Sequence, residues 1–369
     1  MVSNYLRRGL LGSLAIAVCL SGAIAPSAAP KAAEMKKVKI ALGTSVMNLT
    51  YPWLTLPVSL GYWKDEGYDV EILPAGGSLQ AMQQMVAGNA DFAQANSSVI
   101  IQANTKNNLP VRVAMMNGVI DWRLSVLESS NIKSGADIKG KKVGLINLGT
   151  GGVLFLKSYL VQSGLNADKD VRLLATGFGA PAVSALRKGH VDGLMYWGSA
   201  TAGFQNAGLK LRLLKADDWE TYPDYSLSVM EKTIKTDPKM ILAIARGAAK
   251  ATVFALANPE CVRKIYWKDN PSKKPTGVDE ATAVKWDDNR LNSQLRTLEA
   301  ALKLGGGKLV GNVDPVAYER LQKFMQSAGL IKKTIPAEDY LVDINDFYKK
   351  INDFDADAVR AAAKTCSMG

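Results

Sequence analysis

Histidine is nearly missing from this chain: among 369 residues there is one, His190, and there are three cysteines. One of these, Cys19, lies inside an apolar N-terminal run, so only Cys261 and Cys366 remain for the rest of the protein. So sparse a set of soft ligands excludes a zinc site built from cysteine and histidine. A catalytic triad is excluded as well, because His190 sits beside Gly189 in a turn with no cluster of carboxylates around it. No catalytic residue, metal or cofactor is expected. Beyond the first thirty residues no apolar run is long enough to suggest a membrane span. Positive charge is present but not gathered. The formal net charge is +11, yet the basic residues fall as scattered pairs such as Lys36-Lys37, Lys141-Lys142, Lys273-Lys274 and Lys332-Lys333. A nucleic-acid binder concentrates such residues on one face with aromatic residues between them. Scattered pairs read as solvated surface with a mild attraction for anions.

The N-terminus has its own character. Arg7 and Arg8 precede an apolar run at 9–25, and small residues follow through 33. Charge, short apolar core and small residues, in that order, predict a secretory signal peptide over 1–33. Export places the remainder in an oxidising compartment, where Cys261 and Cys366 are expected to form one disulfide that ties the C-terminal tail to a helix.

The chain also repeats itself. Residues 69–91 (DVEILPAGGSLQAMQQMVAGNAD) align without a gap on 170–192 (DVRLLATGFGAPAVSALRKGHVD). Identities include Asp69/Asp170, Val70/Val171, Gly76/Gly177, Ala81/Ala182, Gly88/Gly189 and Asp91/Asp192. Each copy reads as a short apolar strand, a glycine turn and an amphipathic helix. Gly88 and Gly189 close those helices at the left-handed cap position, where glycine costs least. Upstream of each copy, a further strand (38–42, 143–146) runs into a Gly-Thr turn. Such alternation predicts βαβ units around mostly parallel sheets. Two related lobes of α/β class would then face each other with their glycine turns on one cleft, since ligands bind beyond the carboxyl ends of such strands.

At these motifs the sequence resembles the exported solute-binding proteins of the NMT1/THI5-like group, which bind sulfonates, taurine, nitrate or thiamine-precursor pyrimidines for ABC importers. The first lobe carries GYWKDEGYDVEI (61–72) and AGNADFA (87–93), and the second carries DIKGKKVG (137–144) and KGHVDGLMYW (188–197). The run FMQSAGLIKK (324–333) resembles the end of these proteins. The resemblance implies an α/β fold of the type II periplasmic-binding kind, two lobes joined by two crossover strands. Lobe 1 is expected at 36–127 plus 224–369, and lobe 2 at 132–220. It implies a periplasmic monomer that works with an inner-membrane permease and carries out no chemistry of its own. The group's pyrimidine synthases share the fold but depend on a cysteine-rich motif and an active-site histidine, which this chain lacks. An enzyme or a ligand sensor on the same fold is the alternative.

The expected ligand site combines free backbone N–H groups with aromatic walls. The turns Gly76, Gly77, Ser78 and Thr150, Gly151, Gly152 each lead into a helix start, where the dipole favours an anion. Asn96 and Ser97 stand at a strand's carboxyl end, where they also suit a helix cap. Tyr51, Trp53, Trp122, Tyr196 and Trp197 fall at strand ends rather than along a helix stripe. Arg123 is a candidate partner for a carboxylate or sulfonate, with Asp121 close by to neutralise it. Together these residues predict a small organic anion with an apolar or aromatic part. A neutral or cationic pyrimidine, stacked on the same aromatic walls, is the alternative.

Overall fold

In the computed structural model, which describes residues 34–366, the chain forms ten strands. In order these are β1 (Lys36–Leu42), β2 (Tyr68–Pro74), β3 (Phe92–Ala95), β4 (Val111–Val119), β5 (Arg123–Leu127), β6 (Lys142–Leu145), β7 (Arg172–Ala175), β8 (Gly193–Tyr196), β9 (Leu211–Leu214) and β10 (Pro223–Met230). They build two five-stranded sheets with the same plan, β2-β1-β3-β10-β4 and β7-β6-β8-β5-β9. In each, the first three strands are parallel and the fourth runs antiparallel to both neighbours. That fourth strand is always the one entered directly from the other lobe. The chain therefore crosses twice, between β4 and β5 and between β9 and β10. The two lobes and two crossovers are those implied by the resemblance. The sequence reading carried lobe 1 through 127, but β5 pairs with β8 and β9 and so belongs to the second sheet. Only Ile120, Asp121 and Trp122 separate β4 from β5, too short a break to show as a boundary in the sequence. The expected signal peptide lies outside the described residues.

The internal repeat is a structural repeat. Gly88 and Gly189 both take left-handed φ, 79° and 69°, after the helices Ser78–Val86 and Ala180–Arg187. A side chain there would meet the steric penalty that glycine escapes. The two aspartates that follow do identical work. Asp91 Oδ2 accepts the Lys39 backbone N–H at 2.8 Å, and Asp192 Oδ2 accepts that of Lys142 at 2.8 Å. Each thus fixes the register between the second and third strands of its sheet, β1 with β3 and β6 with β8.

Beyond β10 the chain is helical. Asp237 and Asn258 cap the helices Pro238–Ala257 and Pro259–Asp269 by accepting from Met240 N and Cys261 N, each at 3.1 Å. Pro238–Ala257 has the length and mean hydropathy (1.6) of a membrane span, which the sequence reading did not anticipate. It is, however, 67% buried over that window, packed against the first sheet by Ile241, Ile244, Ala248 and Phe254. The helix Glu280–Leu304, capped by Asp279, lies across both lobes. It packs on β4 of the first lobe and on the helix Gly198–Asn206 of the second. Asn206 Nδ2 donates to the Trp286 carbonyl at 2.9 Å and secures that contact. Cys366 closes the last helix, Ala356–Thr365, and is bonded to Cys261 with a Cα–Cα distance of 5.4 Å.

Candidate functional site

Each crossover brings a carboxylate to the start of a helix. Asp121, before β5, accepts the Gly198 backbone N–H at 2.9 Å and so caps the helix Gly198–Asn206 that follows β8. Asp224, in β10, accepts the Ser97 backbone N–H at 3.2 Å and caps the helix Ser97–Asn107 that follows β3. The two aspartates occupy equivalent places in the two lobes. A negative charge against the first turn of a helix is stabilised by its dipole and its free N–H groups.

Asp224 is the more deeply held of the two. It is 2% exposed and also accepts from Asn96 Nδ2, at 2.9 Å to both oxygens, and from Trp122 Nε1 at 3.1 Å. Burial outweighs these donors and pushes its pKa from 3.8 to about 7. Asp121 is pushed from 3.8 to about 6, again chiefly by burial and against the pull of Arg123. Its carboxylate is served by backbone N–H groups alone, those of Gly198 and of Asp121 itself, and it keeps some exposure. It is therefore the carboxylate freer to meet a ligand.

Both aspartates line a cavity at the junction of the lobes. The cavity with the open solvent at its mouth spans about 520 Å³ of atom-free space, and about 30 Å³ has room for the centre of a water molecule. That is space for roughly two or three waters. Its walls are aromatic: Tyr51 and Tyr225 from lobe 1, Trp122 from the crossover and Trp197 from lobe 2. Tyr51 and Tyr225 lie 5.8 Å apart between ring centroids, and Trp122 meets Trp197 edge-on at 5.6 Å. Thr44, Asn147 and Thr150 add polar groups, while Gln294 and Thr297 come from the helix that bridges the lobes. Among the described residues no lysine, arginine, cysteine or histidine lines this cavity. Tyr225 has φ 49°, a left-handed conformation that costs a side-chain-bearing residue on the order of 1–3 kcal/mol. Gln94 Nε2 holds its carbonyl at 2.7 Å.

The lobes are shut against each other above this cavity. Asn147 Nδ2 donates to the Gly76 carbonyl, and Leu79 N donates to the Gly149 carbonyl at 3.3 Å. A Cβ on Gly77 would lie 2.9 Å from the Gly149 oxygen, and one on Gly152 would lie 2.1 Å from the Trp122 ring. Gly151 is equally tight, its Cβ position falling 2.3 Å from Asn96 Oδ1. Gly77 lets two backbones meet across the closed cleft, and Gly151 and Gly152 leave room for the Asn96 and Trp122 side chains.

Of the residues singled out in the sequence, Tyr51, Asn96, Trp122, Thr150 and Trp197 come together on the cavity. The others are placed elsewhere. Trp53 is fully buried, with Nε1 donating to Gln94 Oε1 at 3.1 Å, and Tyr196 is buried against Thr176 and Phe204. Both are core, because strand ends in a two-lobed fold face the helical layer as well as the cleft. Ser78 Oγ is spent on Asn96, donating to Oδ1 at 2.7 Å and accepting from its N at 3.1 Å. Ser97 Oγ joins Ser226 and Tyr318 in a buried hydroxyl cluster. Gly76, Gly77, Gly151 and Gly152 form the lobe contact. Arg123 makes its ion pair with Glu220 at 2.8 Å, away from the aromatic walls, and acts on Asp121 only through its charge. The residues missed are Thr44, Asp121, Asn147, Asp224, Tyr225, Gln294 and Thr297. An aspartate inside the otherwise uncharged run PDYSLSVM was the one signal available.

The NMT1/THI5-like family model matches residues 55–261. A curated relative from Haemophilus influenzae, named a putative thiamine biosynthesis protein, is 26% identical over 295 residues, covering 77% of this chain and 85% of its own. Among solved structures, the periplasmic aliphatic sulphonate-binding protein SsuA of Escherichia coli superposes with a TM-score of 0.58 at 15% identity. That match covers 83% of this chain and 92% of SsuA. The desulfurization enzyme DszB superposes with a TM-score of 0.52 at 15% identity, covering 85% of this chain and 99% of that one. Identities this low establish the shared periplasmic-binding fold and nothing about the ligand. With more than half of its length matched by the family model, the chain belongs to the NMT1/THI5-like family.

Proposed function

We propose that this protein is the exported, monomeric solute-binding component of an ABC importer, working in the periplasm with an inner-membrane permease. Its ligand on this reading is a small, flat, neutral or cationic nitrogen heterocycle of the aminopyrimidine kind. The observation that carries the reading is the cavity itself, with two buried aspartates, aromatic walls and no lysine or arginine among the described residues. Ring faces stack on a planar heterocycle, and amino N–H groups or a ring cation suit a carboxylate. An organic anion, the first expectation from the sequence, would have to approach two carboxylates in a low-dielectric site with no lysine or arginine on its described lining. Its expected anchors, the helix starts at Ser78 and Gly151, are engaged in contacts between and within the lobes. The name of the Haemophilus relative adds support, since half of thiamine is an aminopyrimidine. Capture rather than chemistry is favoured because no cysteine, histidine or lysine lines the described cavity.

The cavity as closed is too small for a pyrimidine ring without movement, so the reading requires the lobes to part and shut again. A thermal-shift and calorimetric screen of 4-aminopyrimidines, pyrimidine alcohols, alkanesulfonates, taurine and nitrate tests it. Stabilisation by aminopyrimidines, weakened by about 1–3 kcal/mol in Trp122→Ala, is the expected result. Stabilisation by sulfonates or nitrate alone would overturn it and restore the anion reading, for which the SsuA fold is the precedent.

A further inference from the structure

A second cavity lies behind the first. It has about 260 Å³ of room for water centres, more than the first, and Val119, Asp121 and Thr297 line both. Its far walls are the helix Gly198–Asn206 of lobe 2 and the bridging helix Glu280–Leu304. The polar groups on those walls are unusually idle. Thr201 is 2% exposed, and its Oγ1 is buried without a hydrogen-bond partner. A buried hydroxyl left so is destabilising, and a ligand oxygen that reached it would relieve that cost. Ser293, 8% exposed, lies on the facing helix. Arg296, one turn further along, is exposed and takes part in none of the ion pairs found among the described residues. The other charges are already matched. Arg123 is held by Glu220, which also takes Lys215 at 2.7 Å, and Asp121 serves the helix start at Gly198. What remains unanswered in this compartment is one guanidinium and a buried hydroxyl donor.

We propose that this second cavity is an oxyanion subsite, in which Arg296 and the hydroxyls of Thr201 and Ser293 take a phosphate or carboxylate. Guanidinium and hydroxyl donors together are the set that recognises such groups. The oxyanion is either a free ion or the tail of the ligand whose ring sits in the first cavity, and Asp121 in the shared wall separates the two charges. In the second case the solute is an aminopyrimidine ester or acid rather than a bare ring. That extension rests on the proposed function above, whereas the subsite itself rests only on the second cavity.

The test uses the mature full-length protein and its Arg296→Gln and Thr201→Val variants, with inorganic phosphate and acetate as probes in calorimetry. Phosphate binding that weakens tenfold or more in Arg296→Gln, and measurably in Thr201→Val, supports the subsite. Binding unchanged in both variants marks adventitious surface association and overturns it, as does no binding by the wild type of phosphate, acetate or a phosphate ester. A second arm compares a 4-aminopyrimidine alcohol with its phosphate ester. A tighter ester whose advantage vanishes in Arg296→Gln identifies the oxyanion as a tail. Inorganic phosphate that binds beside saturating pyrimidine identifies a free ion. If no pyrimidine binds but the phosphate signal still depends on Arg296, the function reading fails and the subsite stands. Circular dichroism and melting curves of both variants separate loss of binding from loss of fold.

Discussion

Asp224 makes the protein's stability depend on pH in a window where few of its other groups act. Its carboxyl has an ordinary pKa of 3.8 when unfolded and about 7 when folded, because it is nearly sealed from water. The folded state therefore holds the proton more tightly. Stability from this group is fully present below pH 4 and is lost as pH rises through 7. A shift of this size corresponds to about 4 kcal/mol, the largest loss this one residue can cause. The carboxylates that are held low by partners, among them Asp168, Glu231 and Asp346, have the opposite sign and act below their unfolded values. Between pH 5 and pH 8 they are silent. Asp224→Asn removes the titration while keeping the shape of the side chain. An amide offers one acceptor to the donors of Asn96, Ser97 and Trp122, so the variant should lose about 1 kcal/mol at pH 5. There the wild-type carboxyl is itself largely protonated. By pH 8 the variant should overtake the wild type, which then carries a buried charge. Urea unfolding of both proteins across this range gives the comparison directly. Parallel stability curves would refute the argument, since they would mean that Asp224 titrates alike in the folded and unfolded chain.

Three further outcomes follow from the same structure. A ligand of constant positive charge should bind more tightly as pH rises from 5 to 8 and level off above it, because Asp121 and Asp224 ionise in that interval; isothermal titration at fixed ionic strength measures this, and a falling affinity would point to an anionic ligand. Gly77→Ala places a Cβ 2.9 Å from the Gly149 oxygen at a φ of 155°, so the cleft should fail to shut, and small-angle scattering with saturating ligand should give a larger radius of gyration than wild type. Cys261→Ser opens a link spanning 105 residues and should lower stability by about 4–5 kcal/mol under non-reducing conditions, with no change when both proteins are compared in reductant.

The fold was legible because its signals are local. A strand, a glycine turn and a helix of about twenty residues leave their period in the sequence, and here the unit is written twice. Gly88 and Gly189 mark the same cap, and Asp91 and Asp192 mark the same strand register. The boundary between lobes was less legible. β4 and β5 are both apolar strands with three residues between them, and only their pairing partners assign them to different sheets. The aromatic residues were legible as a set but not individually. Tyr51 and Trp53 are two positions apart on the entrance to one helix. Tyr51 turns to the cavity and Trp53 to Gln94 in the core, a difference set by packing that no local pattern encodes.

The charge on the cavity walls differs from the sequence expectation for a physical reason. From the sequence, helix starts beside glycine turns look like vacancies for an anion, and Asp121 looks like a neutraliser of Arg123. In the folded chain the starts at Ser78 and Gly151 are taken up by contacts between and within the lobes, and the protein sets two anions of its own on the neighbouring helices. Asp121 and Asp224 arrive from the crossovers, far away in sequence, and occupy the starts of the helices after β8 and β3. Arg123 turns instead to Glu220. A helix start already capped by a carboxylate has its N–H groups and dipole answered from within, and on the proposed reading the negative charge it holds is the feature that the solute matches. Because these caps sit where the chain passes between the lobes, on the proposed reading the groups that meet the ligand's charge are also those beside which the lobes turn. Ligand charge and closure are then coupled through the same two residues: a donor that pairs with Asp121 stabilises its ionised form, and with it the cap at Gly198 that holds the second lobe to the crossover.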